Sequence, residues 1–276
     1  MKVRRPTTIW QQIEAATHQN RQSTDQVLNL GEFNLMAITG HSTRIEGSTL
    51  TLQETITLLE KGITAKGKPL MHHQMAVDHH DALLFIIESA KRKLPITAEF
   101  IQQIAAKVMR QTGKSVNSAL GETSESKGNF RKVNVSAGGR FFVNYDKVLP
   151  FVISLTSKLS ERLPKAKTTE EIHTLAFIAH FDLVSIHPFT DGNGRVSRLL
   201  MNYIQAYHQQ PLTIVKAESK TDYIQALEQS REQQSTQPIV SFLANQHLDW
   251  LIDLQTKFKQ ASQVKTGKST GLSIFF

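Results

Sequence analysis

The chain has 276 residues, of which 39% are apolar and 20% charged, with a formal net charge of +8. That length suits one generous domain or a core with a helical extension, and that composition excludes a disordered or collagen-like chain. Cysteine is absent, which excludes disulfides, thiolate metal sites and a cysteine nucleophile, and fits a cytoplasmic protein.

The opening MKVRRP is followed by polar IWQQIEAATHQNRQ rather than by an apolar h-region. No stretch approaches the ~18 apolar residues of a membrane span, so neither a secretion signal nor a span is expected. The cations are scattered. Lys91-Arg92-Lys93 and Lys165-Ala166-Lys167 fall at predicted helix ends, where the dipole favours them. The charge then suits an anionic small molecule or an acidic protein better than nucleic acid.

Ser42-Thr43-Arg44-Ile45-Glu46-Gly47 reads as a helix C-terminus capped by Gly47, with Glu46 oddly placed at the negative end of the dipole. Helical apolar spacing follows at Ile56, Leu58 and Leu59 and at Ala82, Leu83, Ile86 and Ile87. It continues at Phe100, Ile101, Ile104 and Val108, at Ile153, Leu155 and Leu159, and at Leu175, Ile178, Ala179 and Leu183. The doublets His72-His73 and His79-His80 invite a metal reading. Adjacent helical residues diverge, the i+4 neighbours Ala76 and Val77 cannot ligate, and His72 and His79 stand roughly 10 Å apart on a helix, so an ordinary helix is expected.

Residues 113–127 are rich in Ser, Gly, Thr and Asn and read as a loop. Residues 128–145, GNFRKVNVSAGGRFFVNY, alternate on both sides of Ala137-Gly138-Gly139 and read as a β-hairpin. From Gln260 the chain turns polar, with Ile274-Phe275-Phe276 either docked or frayed.

The run that carries chemistry is His187-Pro188-Phe189-Thr190-Asp191-Gly192-Asn193-Gly194-Arg195-Val196-Ser197-Arg198, a loop between two predicted helices. A Gly-Asn-Gly turn feeding a helix start converges backbone N–H groups into an anion nest at the positive end of the helix dipole. Arg195 and Arg198, three apart, can grip a polyphosphate with forked hydrogen bonds. Asp191 supplies a hard oxygen for Mg²⁺, Asn193 a phosphate contact or a loop brace, and Phe189 an inward anchor. His187 has the pKa range of a general base for a hydroxyl. A calcium loop is disfavoured, because the segment runs into two arginines where acidic ligands are needed.

With every position of H-P-F-x-D-G-N-G-R-x-x-R filled, the chain resembles the Fic family. GNFRKVNV is similar to that family's G-x-[FY]-R segment and flap, Tyr223 with Ala226-Leu227 to its Y-x-x-A-L context, and Ser42–Gly47 to its inhibitory [S/T]-x-x-x-E-[G/N] motif. The resemblance implies an all-α fold with a small hairpin flap. It also implies transfer of AMP from Mg-ATP to a Ser, Thr or Tyr hydroxyl of a target protein docked on the flap. In that reading His187 is the base, Asp191 the Mg²⁺ ligand, Gly192, Asn193 and Gly194 the cradle, Arg195 and Arg198 the phosphate contacts, and Tyr223 the adenine side. Ser42, Glu46 and Gly47 become inhibitory, with Glu46 pairing with Arg198. The organisation expected is a helical region 1–94, a Fic core 95–245 and a C-terminal part 246–276. Removal of AMP, transfer of another nucleotide or of phosphocholine, and a non-catalytic nucleotide-binding adaptor are the alternatives.

Overall fold

In a computed structural model of the chain, residues 8–23 and 30–266 are described. Helices dominate: α1 (Ile9–Ser23), α2 (Leu30–Ile45), α3 (Leu52–Lys61), α4 (Leu70–Lys91), α5 (Ala98–Val108), α6 (Tyr145–Arg162), α7 (Thr169–Ile186), α8 (Asn193–Tyr207), α9 (Lys220–Glu232) and α10 (Gln237–Thr266). Their starts follow local chemistry. Thr51 with Glu54 and Thr168 with Glu171 form complete capping boxes for α3 and α7, and the Thr97 hydroxyl accepts the Phe100 N–H of α5.

Helix α8 is the axis of the molecule. Asn193 and Arg195 through Gln205 are all buried, so it presents no solvent face and packs on α7, α4, α5 and α2. One apolar cluster runs from Ile13 on α1 to Leu254 on α10, with Phe177, Leu199, Met201 and Tyr203 at its centre. Within it Gln205, Thr213, His173 and His247 form a buried polar network: Gln205 Nε2 donates to His173 Nδ1 at 2.9 Å, and Thr213 Oγ1 lies 3.0 Å from His247 Nδ1. Helix α2 lies across α3 and α4 and brings its C-terminal end to α8.

The strand assignments differ from expectation in a physically instructive way. Residues 113–127, expected to be a loop, contain the antiparallel pair β1 (Ser115–Ser118) and β2 (Gly121–Ser124), followed by a 3₁₀ turn. This hairpin has no apolar face for periodicity to reveal. In 128–145 the paired strands are only β3 (Ser136–Ala137) and β4 (Arg140–Phe141), turning through Gly138 and Gly139. Residues 130–135 alternate in exposure but have no partner strand, because the buried Arg131 takes the place of one.

The doubled histidines of α4 serve as local braces. His72 Nδ1 accepts the Thr49 N–H at 3.1 Å, and His73 accepts the Ala65 N–H while donating to the Pro69 carbonyl. His79 and His80 both reach Thr39 Oγ1. Helix α10 continues to Thr266, past the polar onset at Gln260. The expectation for Ile274-Phe275-Phe276 lies outside the described residues.

Candidate active site

Helix α7 ends at Ile186, and His187 is its C-cap with φ 54° and ψ 60°, a left-handed conformation uncommon outside glycine. That twist turns the chain out of the helix and into the loop. The loop is braced from inside: Asn193 Oδ1 accepts the Phe189 N–H at 2.9 Å, and its Nδ2 donates to the Phe189 carbonyl at 2.8 Å. Phe189 is 3% exposed and packs on Phe130. Of the two roles open to the Asn193 side chain, the geometry uses the brace.

Gly192 is the N-cap of α8 with φ 81°, and its N–H is held by Asp191 Oδ1 at 2.5 Å. A Cβ there would meet Met109 Sδ at 3.0 Å, so glycine answers both the backbone conformation and the close neighbour. The Asp191 side chain is 64% exposed and stands 3.6 Å from Arg195 Nη2. Outside the loop, Thr190 Oγ1 donates to Glu125 Oε1 at 2.7 Å and ties it to the turn after β2.

The two arginines differ. Arg195 is 2% exposed, and Nη2 points at Met109 Sδ, while Nε and Nη1 are buried without a hydrogen-bond partner. Two donors of this guanidinium are thus left unmet by the chain, a costly condition for a buried arginine. Arg198, 3% exposed, is engaged through Nε and Nη2 by the end of α2 and the residue after it. Nε donates to Ser42 Oγ at 2.9 Å, and Nη2 donates to the Ser42 carbonyl at 3.0 Å and to Glu46 Oε1 at 2.7 Å. Glu46 follows the last residue of α2, where Gly47, with φ 98°, bonds back to the Arg44 carbonyl. Its carboxylate lies over the start of α8, so closely that a Cβ on Gly194 would run into Oε1. Burial works to raise the Glu46 pKa, but the charge and hydrogen bond of Arg198, aided by Arg195 and Lys220, leave it below the ordinary carboxylate value. Helix dipole and arginines thus hold an anion at this spot, supplied by the chain itself.

A pocket of about 290 Å³ opens from this point. Gly194, Arg198, Glu46 and His187 line it together with Val184, Ile224, Leu227 and Arg231, and Phe142 and Arg140 of the hairpin segment border it as well. Tyr223 also borders it, yet is only 2% exposed, and its hydroxyl lies 2.7 Å from His180 Nε2 and interacts with Arg198. Its polar end is therefore directed at the arginine. His187 Nδ1 donates to the Val184 carbonyl at 3.4 Å, and its ring stacks on Phe142. Burial is the main reason its pKa drops to about 4; Arg131 and Arg231 push the same way, against the Val184 hydrogen bond and Glu46. The imidazole is neutral at pH 7.

Arg131 is the functional side chain that periodicity alone missed. At 2% exposure it donates through Nε to the His187 carbonyl at 2.8 Å, through Nη1 to the Val133 carbonyl at 2.9 Å, and through Nη2 to the Val143 carbonyl. One guanidinium joins the signature loop to both arms of the hairpin segment. Its signal in the sequence was the G-x-F-R run, which marks an arginine without saying what it holds. Across the pocket, Arg140 of β4 stands 3.7 Å from Glu228 of α9, so the hairpin arches over the cavity.

Residues 95–205 match the description Fic/DOC family. The chain is 32% identical over 210 residues to a Drosophila erecta protein named protein adenylyltransferase Fic, covering 74% of this chain and 39% of that one. The Drosophila melanogaster protein of the same name is 31% identical over 208 residues, again 74% of this chain and 39% of the relative. The chain therefore spans well under half the length of these curated relatives. Among solved structures, a Fic domain containing signaling protein from Bacteroides thetaiotaomicron superposes with a TM-score of 0.76 at 22% identity, over 91% of this chain and 97% of that one. Fic-1 from C. elegans superposes with a TM-score of 0.71 at 21% identity, over 92% of this chain and 73% of that one. These two likenesses speak for the all-α fold. With its signature loop placed at the head of α8 inside the matching segment, the chain belongs to the Fic/DOC family.

Proposed function

We propose that the protein is a protein adenylyltransferase, moving AMP from Mg-ATP to a hydroxyl of a target protein, and that Glu46 holds it in check. The observation that carries this reading is Arg195, whose buried Nε and Nη1 have no partner beside a helix N-terminus and across the loop from a neutral histidine. A polyphosphate supplies the missing acceptors. Arg195 and Arg198 would grip it, the backbone N–H groups of Asn193 and Gly194 would cradle it, and the apolar lining residues Val184, Ile224 and Leu227 suit a base. Asp191, exposed at the loop edge, would hold Mg²⁺, which neutralises phosphate charge when bound.

The chain's own chemistry follows from the His187 tautomer. With Nδ1–H committed to the Val184 carbonyl, Nε2 is the basic nitrogen, and it takes the proton of a target hydroxyl. The hydroxyl oxygen bonds to the α-phosphorus as the bond to the pyrophosphate oxygen breaks. The two arginines and the helix N-terminus stabilise the charge that leaves. Glu46 opposes this by filling the space over Gly194 and occupying Arg198, which a γ-phosphate would need.

We assign target docking to the hairpin segment, where residues 132–135 pair with no strand and Phe141 is 82% exposed, by strand addition along its edge. The cytoplasm is the compartment proposed, on the cysteine-free composition. No helix among the described residues is long and apolar enough to cross a membrane.

The test is mass spectrometry of a lysate incubated with ATP and the Glu46→Gly protein. AMP adducts on Ser, Thr or Tyr side chains are expected, with none when His187→Ala is added to the same protein. Adducts of another mass would reassign the donor, and adducts that survive His187→Ala would remove the base.

A further inference from the structure

The hairpin segment meets the catalytic loop at a ring-on-ring contact that strand addition does not require. Phe142, just past β4, lies over the His187 imidazole with centroids 3.8 Å apart and planes 15° from parallel. That is close, nearly face-to-face stacking, which fixes a ring plane. Arg131 sets the register, because it holds the His187 carbonyl and the Val143 carbonyl, one residue from each ring or on it, with the same guanidinium. The Phe142 N–H donates in turn to the Val135 carbonyl at 3.3 Å.

We propose that Phe142 is a positioning residue for the base: its ring, on a backbone that Arg131 ties down at the Val143 carbonyl, covers one face of His187 and fixes the imidazole plane so that only the Nε2 edge addresses the pocket. The inference rests on His187 being the base and adds what aims it and what shields it from water. Two of the imidazole's degrees of freedom are then set, one by the Val184 carbonyl on Nδ1 and one by the phenyl face. The same cover explains the ionisation. Removal of water from an imidazole face penalises its charged form, in line with the fall to about 4 that burial dominates. The charged groups around the ring are Arg131 of the hairpin segment, Arg231 of α9 and Glu46 after α2. The two cations oppose protonation and the carboxylate favours it, so without the phenyl shield the ring would be rehydrated between opposing charges.

The deciding measurement is the titration of the His187 Cε1–H signal by NMR in the full chain without nucleotide, assigned by its loss in His187→Gln. The native protein is expected to titrate near the acid end of the accessible range. Phe142→Ala should move the midpoint up by about one unit or more towards the ordinary histidine value of 6.5, and Phe142→Leu by less. Phe142→Tyr should restore the native midpoint. In the Glu46→Gly background the acid limb of kcat/KM for transfer should move in the same direction for Phe142→Ala, with kcat changed by more than KM for Mg-ATP, because the ring stacks on the base while the phosphate grip lies with the arginines. An unchanged His187 midpoint in folded Phe142→Ala or Phe142→Leu overturns the inference. The NMR midpoint needs no turnover, so shifted midpoints in proteins that transfer no AMP would leave this inference standing and sink the adenylyltransferase reading instead.

Discussion

The cradle and the hairpin segment face each other across one pocket and are built in opposite ways. The cradle is interior structure: α8 is buried from its first residue, Asn193 is bonded into its own loop, and both arginines are no more than 3% exposed. The hairpin segment is surface structure, with two-residue strands, a Gly-Gly turn, and Phe141 open to solvent, joined to the rest by Arg131, the Phe142 stack and the Arg140–Glu228 pair. In the proposed function the donor is a polyphosphate of fixed shape, whose charges a packed helix terminus can meet at fixed points. A protein target varies in shape, and an edge that still has backbone groups to offer adapts to it.

Changes in the cradle should act on the donor, and the largest concerns Glu46. Glu46→Gly frees Arg198 and clears the space above Gly194, so transfer at saturating Mg-ATP should rise on the order of 10- to 100-fold, as loss of a charge-assisted contact implies. ATP affinity should rise by much less, since alignment acts on the barrier. Arg198→Ala should not activate, because it removes the catalytic grip with the inhibitory partner, and the double variant should match Arg198→Ala alone. Initial rates of the four proteins measure this cycle. An additive result would separate Glu46 from Arg198.

Changes in the hairpin segment should act on the acceptor. Val133→Pro with Val135→Pro removes two N–H donors from the unpaired stretch that a target strand would pair with. Modification of a protein target should fall about tenfold or more, while Mg-ATP affinity, read by calorimetry, should stay within about twofold. Equal losses in both would mean that the hairpin segment belongs to the nucleotide site.

The smallest effect sharpens the contrast through stability. His41 titrates at about 4, His173 and His180 at about 3, and His79 and His247 well below 6.5, all chiefly from burial in the scaffold around α8. No histidine lies in residues 128–145. Because these folded-state values are below the unfolded 6.5, the unfolded chain binds protons that the folded one refuses as pH falls from 6.5 towards 3–4. Tm should be nearly flat above pH 7 and fall through that window, by about 2–4 °C for each kcal/mol lost. The carboxylates contribute only at lower pH. Scanning calorimetry at pH 7.5, 6 and 5 would show it, and a flat profile would mean that these histidines find protonated forms the fold tolerates.

What could be read from residues alone was whatever is encoded within a few positions of chain. Apolar 3.6-residue spacing announced the helices, and twelve contiguous residues announced a loop between two of them with His187, Asp191, a Gly-Asn-Gly turn and two arginines, because loop chemistry and helix start are local. Glu46 was legible only through resemblance, and the geometry explains why: its contact with Arg198 joins positions 152 residues apart. The β1–β2 hairpin escaped notice because its strands, SVNS and GETS, have no apolar alternation to report burial. Residues 130–135 carried that alternation without becoming a paired strand, since the buried Arg131 claimed the carbonyls around it. Tertiary structure alone decided which arginine is engaged and which is left open, which way the Tyr223 hydroxyl faces, and that a phenyl ring covers His187. These are questions of which polar group finds a partner in a crowded interior, and the answer depends on every element that arrives there, not on the segment that supplies the group.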